Sequence, residues 1–434
     1  MNLLFCSRLI RIFVIRLNKD RSGRIGAETL LLDFHKKDNA MKDFSFYAPT
    51  EVVFGAKSEE KIAELVRHHG GTKVLVHYGG ESARRSGLLD KVCGQLTAAG
   101  IEHVLLGGVV PNPRLSKVHE GIDLCRREGI DFIVAVGGGS VIDSAKAIGY
   151  GVGYDGDVWD FYLRRTVPQS CMPIGAVLTI PAAGSEMSDS SVITNEDGNI
   201  KLGYTSNLCR CKFAVMNPER TYTLPPYQTA AGVTDIIMHT LERYFSKDDD
   251  MTLVDSMAEA LMRTMKDSVF AVLDNPHDYR NRAQIMWAGS LAHNDITGSR
   301  AAGDWATHQL GHELSAMFDA THGASLAAVW ASWARYVYKE NVSRFVRLAV
   351  NVMGVDNDYT SPEATALAGI AAMERFFRAI GMPVSIKELI VRDVTDGEID
   401  EMARKCSCGG TVTKGTFKVL HRDDMVAIYR MARG

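Results

Sequence analysis

Four short apolar runs rich in β-branched residues, at 74–78, 103–106, 132–136 and 175–180, alternate with stretches of helical periodicity in the first half of the chain. That alternation predicts a parallel sheet wound by helices. An Asn-Glu-Asp-Gly-Asn turn at 195–199, between extended patterns at 191–194 and 200–204, predicts a β-hairpin late in this half. Near residue 220 the texture changes: strand patterns stop, and the Thr-Leu-Pro-Pro segment at 223–226 opens a series of amphipathic helical patterns that runs to the C-terminus. The expected organisation is an α/β domain at 41–222 followed by an all-α domain at 223–434.

Two of the predicted strands run straight into glycine turns. The first is Asp131-Phe-Ile-Val-Ala-Val136, which continues into Gly137, Gly138, Gly139 and Ser140 and then into a helical stretch that Ser140 is expected to cap. Successive glycines let the backbone approach a ligand closely, and free amides at a helix start favour a pyrophosphate. The pattern is not GxGxxG, and a tight turn with no ligand is the competing reading. The second strand ends in Gly79, Gly80, Glu81 and Ser82, with a helix expected from about Ala83. A site for NAD commonly sets a carboxylate against the ribose 2′-hydroxyl, and that carboxylate would repel a 2′-phosphate. Gly79 and Gly80 leave room instead. Ser82, Arg84 and Arg85 offer a hydroxyl and charge to a phosphate, against which stand Glu81 and the plainer reading of solvated helix arginines.

Beyond residue 223, Asp235 and His239 stand four apart in a helical pattern, so both side chains leave one face, with Cβ atoms about 5–6 Å apart. That spacing suits two ligands of one cation. The same stretch carries Ile236, Ile237 and Leu241, and burying two titratable groups among them without a partner is costly. The segment 304–323 adds His308 and His312 on one helical face and His322 after a turn; spacing alone does not choose among the three. Imidazoles with one carboxylate favour Fe²⁺ or Zn²⁺ over Mg²⁺ or Ca²⁺. A lone helix histidine is more often a surface or satisfied core residue, and only the paired spacing lifts these above that reading.

Composition narrows the partners. With 434 residues, 46% hydrophobic content and a formal charge of −3, the chain has the length for two domains and no charge bias toward nucleic acid. Its eight cysteines include Cys209/Cys211 and Cys406/Cys408, each pair separated by one residue rather than the two of a zinc knuckle or redox motif. They read as free thiols of a cytoplasmic protein. At the N-terminus, apolar positions 3–5 and 10–17 are broken by Arg8, Arg11 and Arg16 and are too short to span a bilayer. An organellar transit peptide is diluted by Glu28, Asp33 and Asp38. Residues 1–40 do not fit the two-domain plan and are expected to be an extension outside the fold.

These residues together resemble the iron-containing (group III) alcohol dehydrogenase family, near its NADPH-dependent butanol dehydrogenase branch. The likeness runs from about Phe44 to the C-terminus, which implies that Met41, just before it, is the start. It is carried by Pro49-Thr-Glu-Val-Val-Phe-Gly55, the Pro111-Asn-Pro113 turn, Gly137-Gly-Gly-Ser-Val-Ile-Asp-Ser-Ala-Lys146, Gly184-Ser-Glu186, the Asp235/His239 helix and Gly311-His-Glu-Leu-Ser-Ala-Met-Phe-Asp-Ala-Thr-His-Gly323. The resemblance implies a Rossmann-like parallel sheet followed by the helical domain shared with dehydroquinate synthase. It implies that Asp235, His239, His308 and His322 hold Fe²⁺ or Zn²⁺, with His312 beside the nicotinamide and substrate. Gly137, Gly138, Gly139 and Ser140 would grip the pyrophosphate, with Asp143, Lys146 and Thr179 near the cofactor and Gly79, Gly80 and Ser82 facing the adenosine ribose. Family members that use NAD tend to have Asp where this chain has Gly79, so NADP(H) is expected over NAD(H). The implied activity is hydride transfer with a small primary alcohol or aldehyde such as butanol or butanal, in a homodimer with no nucleic-acid or membrane partner.

The chain departs from the family pattern at Ala183, usually Thr, and at Cys211 and Asn217, usually Pro and Asp. Ala183 removes one hydroxyl near the cofactor; none of the three touches the metal set. A metal- and nicotinamide-dependent lyase similar to dehydroquinate synthase is the alternative, and it would need Lys, Arg and His clustered around a substrate phosphate. The apolar Trp305, Leu314, Met317 and Phe318 near the histidines favour the small alcohol.

Overall fold

The computed structural model describes residues 43–246, 252–298 and 303–434, together with the backbone of two N-terminal strands. These strands, β1 (Ile10–Lys19) and β2 (Ile25–Phe34), pair antiparallel in a sheet of their own. Met41, with the expectation that the chain proper begins there, lies outside the described residues.

The strands that follow are β3 (Glu51–Phe54), β4 (Lys73–Tyr78), β5 (Glu102–Leu106), β6 (Phe132–Gly137), β7 (Ile174–Leu178), β8 (Ser190–Asn195), β9 (Ile200–Thr205) and β10 (Phe213–Met216). Six of them form one parallel sheet in the order β3-β10-β7-β6-β4-β5, while β8 and β9 make the expected hairpin. Along β6 every residue is buried, and its side chains alternate between two apolar layers. Ile133 and Ala135 pack with Leu75 and the Gly139–Val152 helix on one face; Phe132, Val134 and Val136 pack with Val74 and Val76 on the other. Helices thus cover both faces, which is why the central strands read as unbroken apolar runs.

The strand order determines where a ligand can sit. From β4 the chain moves to the edge strand β5, then crosses back to lay β6 on the other side of β4. The helices leaving β4 and β6 therefore diverge and leave a crevice at the carboxyl ends of these two strands. Both glycine turns of the sequence lie at that crevice, directly after Tyr78 and Val136, which pair across the two strands.

After β10 the described residues hold helices but no further strand. The Pro226–Tyr244 helix starts with proline at its first position, where no intrahelical donor is lost. Its residues from Thr229 to Tyr244 are all buried, so the amphipathic pattern expected there is replaced by a helix enclosed on every side. Around it the Tyr279–His293, Ala306–Phe318 and His322–Val337 helices build one apolar core, in which Trp330 and Trp333 are almost fully buried. No helix among the described residues is long and apolar enough to cross a membrane. The seven described cysteines are free thiols.

Candidate active site

A cleft of about 1310 Å³ joins the two halves. One wall is built by Gly79, Gly80 and Ser82 from the turn after β4, by Gly137, Gly138, Gly139, Ser140 and Asp143, and by Thr179 just beyond β7. The facing wall holds Asp235, His239, His308, His312 and His322. Of the residues that the resemblance assigns to the metal or the cofactor, all but Lys146 line this cleft. That lysine is fully buried, and its ammonium donates to the carbonyls of Ser188 and Ser190 at 2.8 and 2.9 Å. It ties the Gly139–Val152 helix to the start of β8 and does not itself line the cleft.

The metal-ligating types converge. His239 Nδ1, His308 Nε2 and His322 Nε2 stand 3.4, 3.7 and 3.6 Å from Asp235 Oδ1. Ligands ~2.1 Å from a four-coordinate cation are about 3.4 Å apart; the ligand atoms of Asp235, His239 and His308 all lie within 4.8 Å of one another and suit one ion, while His322 comes close on the Asp235 side alone. Asp235 Oδ1, His239 Nδ1 and His308 Nε2 are all buried with no hydrogen-bond partner. Leaving one such atom unsatisfied costs about 1–3 kcal/mol. Three of them this close together fit a shared cation. Among the described residues one other cluster, Glu51, His68 and His69, brings ligating types together, but it is largely exposed and its His69 Nε2 and Glu51 Oε2 satisfy each other at 3.2 Å.

The electrostatics agree with that reading for His239 and His322. Burial drives His239 down to about 3, and burial also holds His312 and His322 well below the ordinary imidazole range, so their lone pairs are open at neutral pH. Burial pushes the Asp235 carboxyl upward, but the neighbouring His239 and His308 outweigh it and keep it below the usual value. For His308, burial works downward and is overcome by Asp235 and Glu242, which raise it. His308 Nδ1 lies 2.8 Å from Glu242 Oε1.

On the opposite wall the helix after Gly138 starts differently from expectation. Gly138 is the N-cap, Ser140 lies inside the first turn, and no side chain caps the helix. The first amides are consequently free to meet an anion, where a serine cap would have consumed one. Gly137 is required by packing: a Cβ there would stand 2.4 Å from Val141 Cγ2. At the second glycine turn the helix begins at Glu81, earlier than expected, with Gly80 as N-cap. Ser82 lines the cleft, but the Arg84 guanidinium turns to the Tyr78 hydroxyl at 2.6 Å and Arg85 is exposed.

Several cleft residues escaped the sequence reading. His293 stacks on His239 with ring centroids 4.2 Å apart, and its Nδ1 donates to the Ala183 carbonyl at 2.6 Å, so the Ala183 backbone carries a contact that its side chain cannot. Partly buried Lys201 is lowered to about 8 by burial, against the pull of Asp235 and Asp143. Its ammonium donates to Asn112, whose amide donates in turn to Asp319, three residues before His322. Lys201 sits in an ordinary hairpin strand, and nothing in its local sequence marks it. Of the apolar residues expected beside the histidines, only Trp305 lines the cleft, packing edge-on against His308 and His239 at 5.3 and 6.0 Å; Leu314, Met317 and Phe318 pack into the helical core.

Comparison with known proteins bears on the family and the fold. Residues 49–218 match the family described as iron-containing alcohol dehydrogenase, and residues 229–433 match the C-terminal part of the Fe-containing alcohol dehydrogenase family. The chain is 38% identical to a protein of Bacillus subtilis named probable NADH-dependent butanol dehydrogenase 1, over 90% of this chain and 99% of that protein. It is 32% identical to an NADPH-dependent aldehyde reductase of Escherichia coli, over 91% of this chain and all of the relative. The solved structure of NADH-dependent butanol dehydrogenase A from Thermotoga maritima superposes with a TM-score of 0.87 at 36% identity, covering 91% of this chain and 99% of that one. A parallel sheet with glycine turns at its switch point, a helical half bringing one carboxylate and three imidazoles together, and full-length likeness to these relatives lead to one conclusion: the chain belongs to the iron-containing alcohol dehydrogenase family and is an oxidoreductase.

Proposed function

We propose that the protein interconverts small primary alcohols and aldehydes, of which butanol and butanal are the test pair, using NADP(H) in preference to NAD(H). The observation that carries this reading is the set of three buried, unpartnered donor atoms on Asp235, His239 and His308 facing the crevice of the glycine turns. With His322 they would hold Fe²⁺ or Zn²⁺, between which an Asp-and-His shell does not select. A bound cation there would supply Lewis-acid polarisation of the substrate oxygen, and a nicotinamide would supply the hydride chemistry.

The chain's own residues orient and enclose. Gly138, Gly139 and Ser140 offer uncapped helix amides to the pyrophosphate, and Thr179 and Asp143 border the same groove. Trp305, packed against His239 and His308, gives the substrate an apolar neighbour that suits a short, weakly polar chain and excludes water from the reacting carbon. His312, 5.2 Å from His322 between ring centroids, is assigned to the path by which the alcohol proton leaves. A cytoplasmic homodimer is the expected state. NADPH consumption with butanal and added Fe²⁺ or Zn²⁺, compared with NADH, tests the reading. One cofactor oxidised per aldehyde reduced supports it, and phosphate elimination without net oxidation would favour the lyase.

Cofactor choice rests on Gly79. A Cβ at this position meets the Val109 carbonyl oxygen and Val141 Cγ2 only at 3.4 and 3.5 Å, ordinary contact distances that require no backbone shift. Gly79→Asp is expected to lower kcat/KM for NADPH by about 10-fold or more and to shift the ratio toward NADH, since the new carboxylate would repel a 2′-phosphate. Steady-state kinetics with both cofactors check it. An unchanged ratio would remove the 2′-phosphate from the Gly79 turn.

A further inference from the structure

Glu242 is buried, with 2% exposure, and its Oε1 receives two hydrogen bonds from one residue: His308 donates Nδ1 at 2.8 Å and its backbone N–H at 2.8 Å. A carboxylate only accepts, so Nδ1 carries the hydrogen and, in the neutral ring, Nε2 keeps its lone pair. That Nε2 is the unpartnered atom facing Asp235. Asp235, His239 and Glu242 occupy positions i, i+4 and i+7 of the Pro226–Tyr244 helix and so share a face. The grip extends to the main chain. The Glu242 carbonyl accepts from Asp304 N–H at 2.8 Å, and the Asp304 carboxylate accepts from the Ala306 N–H at the start of the Ala306–Phe318 helix.

We infer that Glu242 is a positioning residue of the metal centre, locking the tautomer and ring orientation that present His308 Nε2 to the cation. The inference rests on the proposed metal site. Charge supports it independently of geometry, because Asp235 alone would leave a divalent cation with a net positive charge in a buried pocket, and the second carboxylate balances it. One helix therefore supplies two ligands and also orients the ligand on the helix it faces.

The test is a Zn²⁺ titration of the metal-stripped, full-length protein against a chelator of known affinity, with wild type, Glu242→Gln and Glu242→Ala in parallel. The melting temperature of each metal-free protein is read as well. Glutamine keeps the size and an accepting oxygen but not the charge; alanine removes both. Wild type is expected to bind one Zn²⁺ per chain, E242Q to bind about 10-fold more weakly and E242A about 100-fold more weakly. In E242Q, kcat is expected to fall while the KM for NADPH stays within about twofold, since the cofactor wall is untouched. A wild type that takes up no Zn²⁺ overturns the site and this role with it. A wild type that loads, beside variants that bind as tightly, overturns the role alone, whether or not the variants melt at lower temperature.

Discussion

His308→Ala is expected to yield a protein that purifies without metal and reduces butanal with kcat/KM lowered by about 10³-fold or more, the scale of several kcal/mol of lost polarisation. Three effects coincide at this ring. One donor, Nε2, disappears from the cluster around Asp235 Oδ1. The Glu242 carboxylate loses its imidazole partner. Two buried carboxylates, Asp235 and Glu242, then have no aromatic ring between them, and a buried charge stripped of its partner is the costliest kind of polar defect. Elemental analysis of protein purified without added metal, paired with NADPH-dependent kinetics, measures both losses. Wild-type metal content together with a wild-type rate would refute the ligand assignment.

Gly323→Ala should be the next most damaging change, and for a reason no motif contains. A Cβ on Gly323 would lie 2.0 Å from the Ala231 carbonyl oxygen and 2.8 Å from its carbonyl carbon, so the obstacle is backbone and cannot swing aside. The Pro226–Tyr244 and His322–Val337 helices would have to separate. Overpacking of this kind costs about 1–3 kcal/mol or more. Because one helix bears Asp235 and His239 and the other begins at His322, separation also pulls His322 Nε2 away from its 3.6 Å approach to Asp235. The melting temperature is expected to drop by several degrees and metal occupancy to fall with it. Gly94→Ala is the control: it lies in the Leu88–Ala98 helix with nothing within 4 Å of an added Cβ, and there alanine should be neutral or stabilise by up to about 1 kcal/mol. Equal behaviour of the two variants would mean that the helix contact at Gly323 is not as close as described.

Much of the architecture was legible because local patterns and tertiary demands coincide. β4, β5, β6 and β7 announced themselves as apolar runs since three of them are enclosed on nearly every residue, and the hairpin of β8 and β9 was signalled by its Asn-Glu-Asp-Gly-Asn turn. β3 and β10 did not, since each is only four residues long and a run that short has no usable period. In the site, the four-residue spacing of Asp235 and His239 was a true signal of a shared face. It was silent about which of His308, His312 and His322 would meet them, a choice settled by how one helix packs on another. Lys146 shows the converse: a position of the glycine motif whose side chain is buried against the Ser188 and Ser190 carbonyls and does not itself line the cleft.

The sequence by itself determined the fold class, the glycine turns that end β4 and β6, the pairing of Asp235 with His239 and the family, because each depends on spacing along one element or on a whole-length pattern. Tertiary structure alone decided that those turns meet at the switch point of the sheet and that Glu242 holds His308 from across a helix pair. The physical reason is range. Periodicity and capping act over a few residues, whereas Glu242 and His308 are 66 positions apart and Asn112 and Asp319 are 207 apart, and such partners are chosen only when packing brings their elements together.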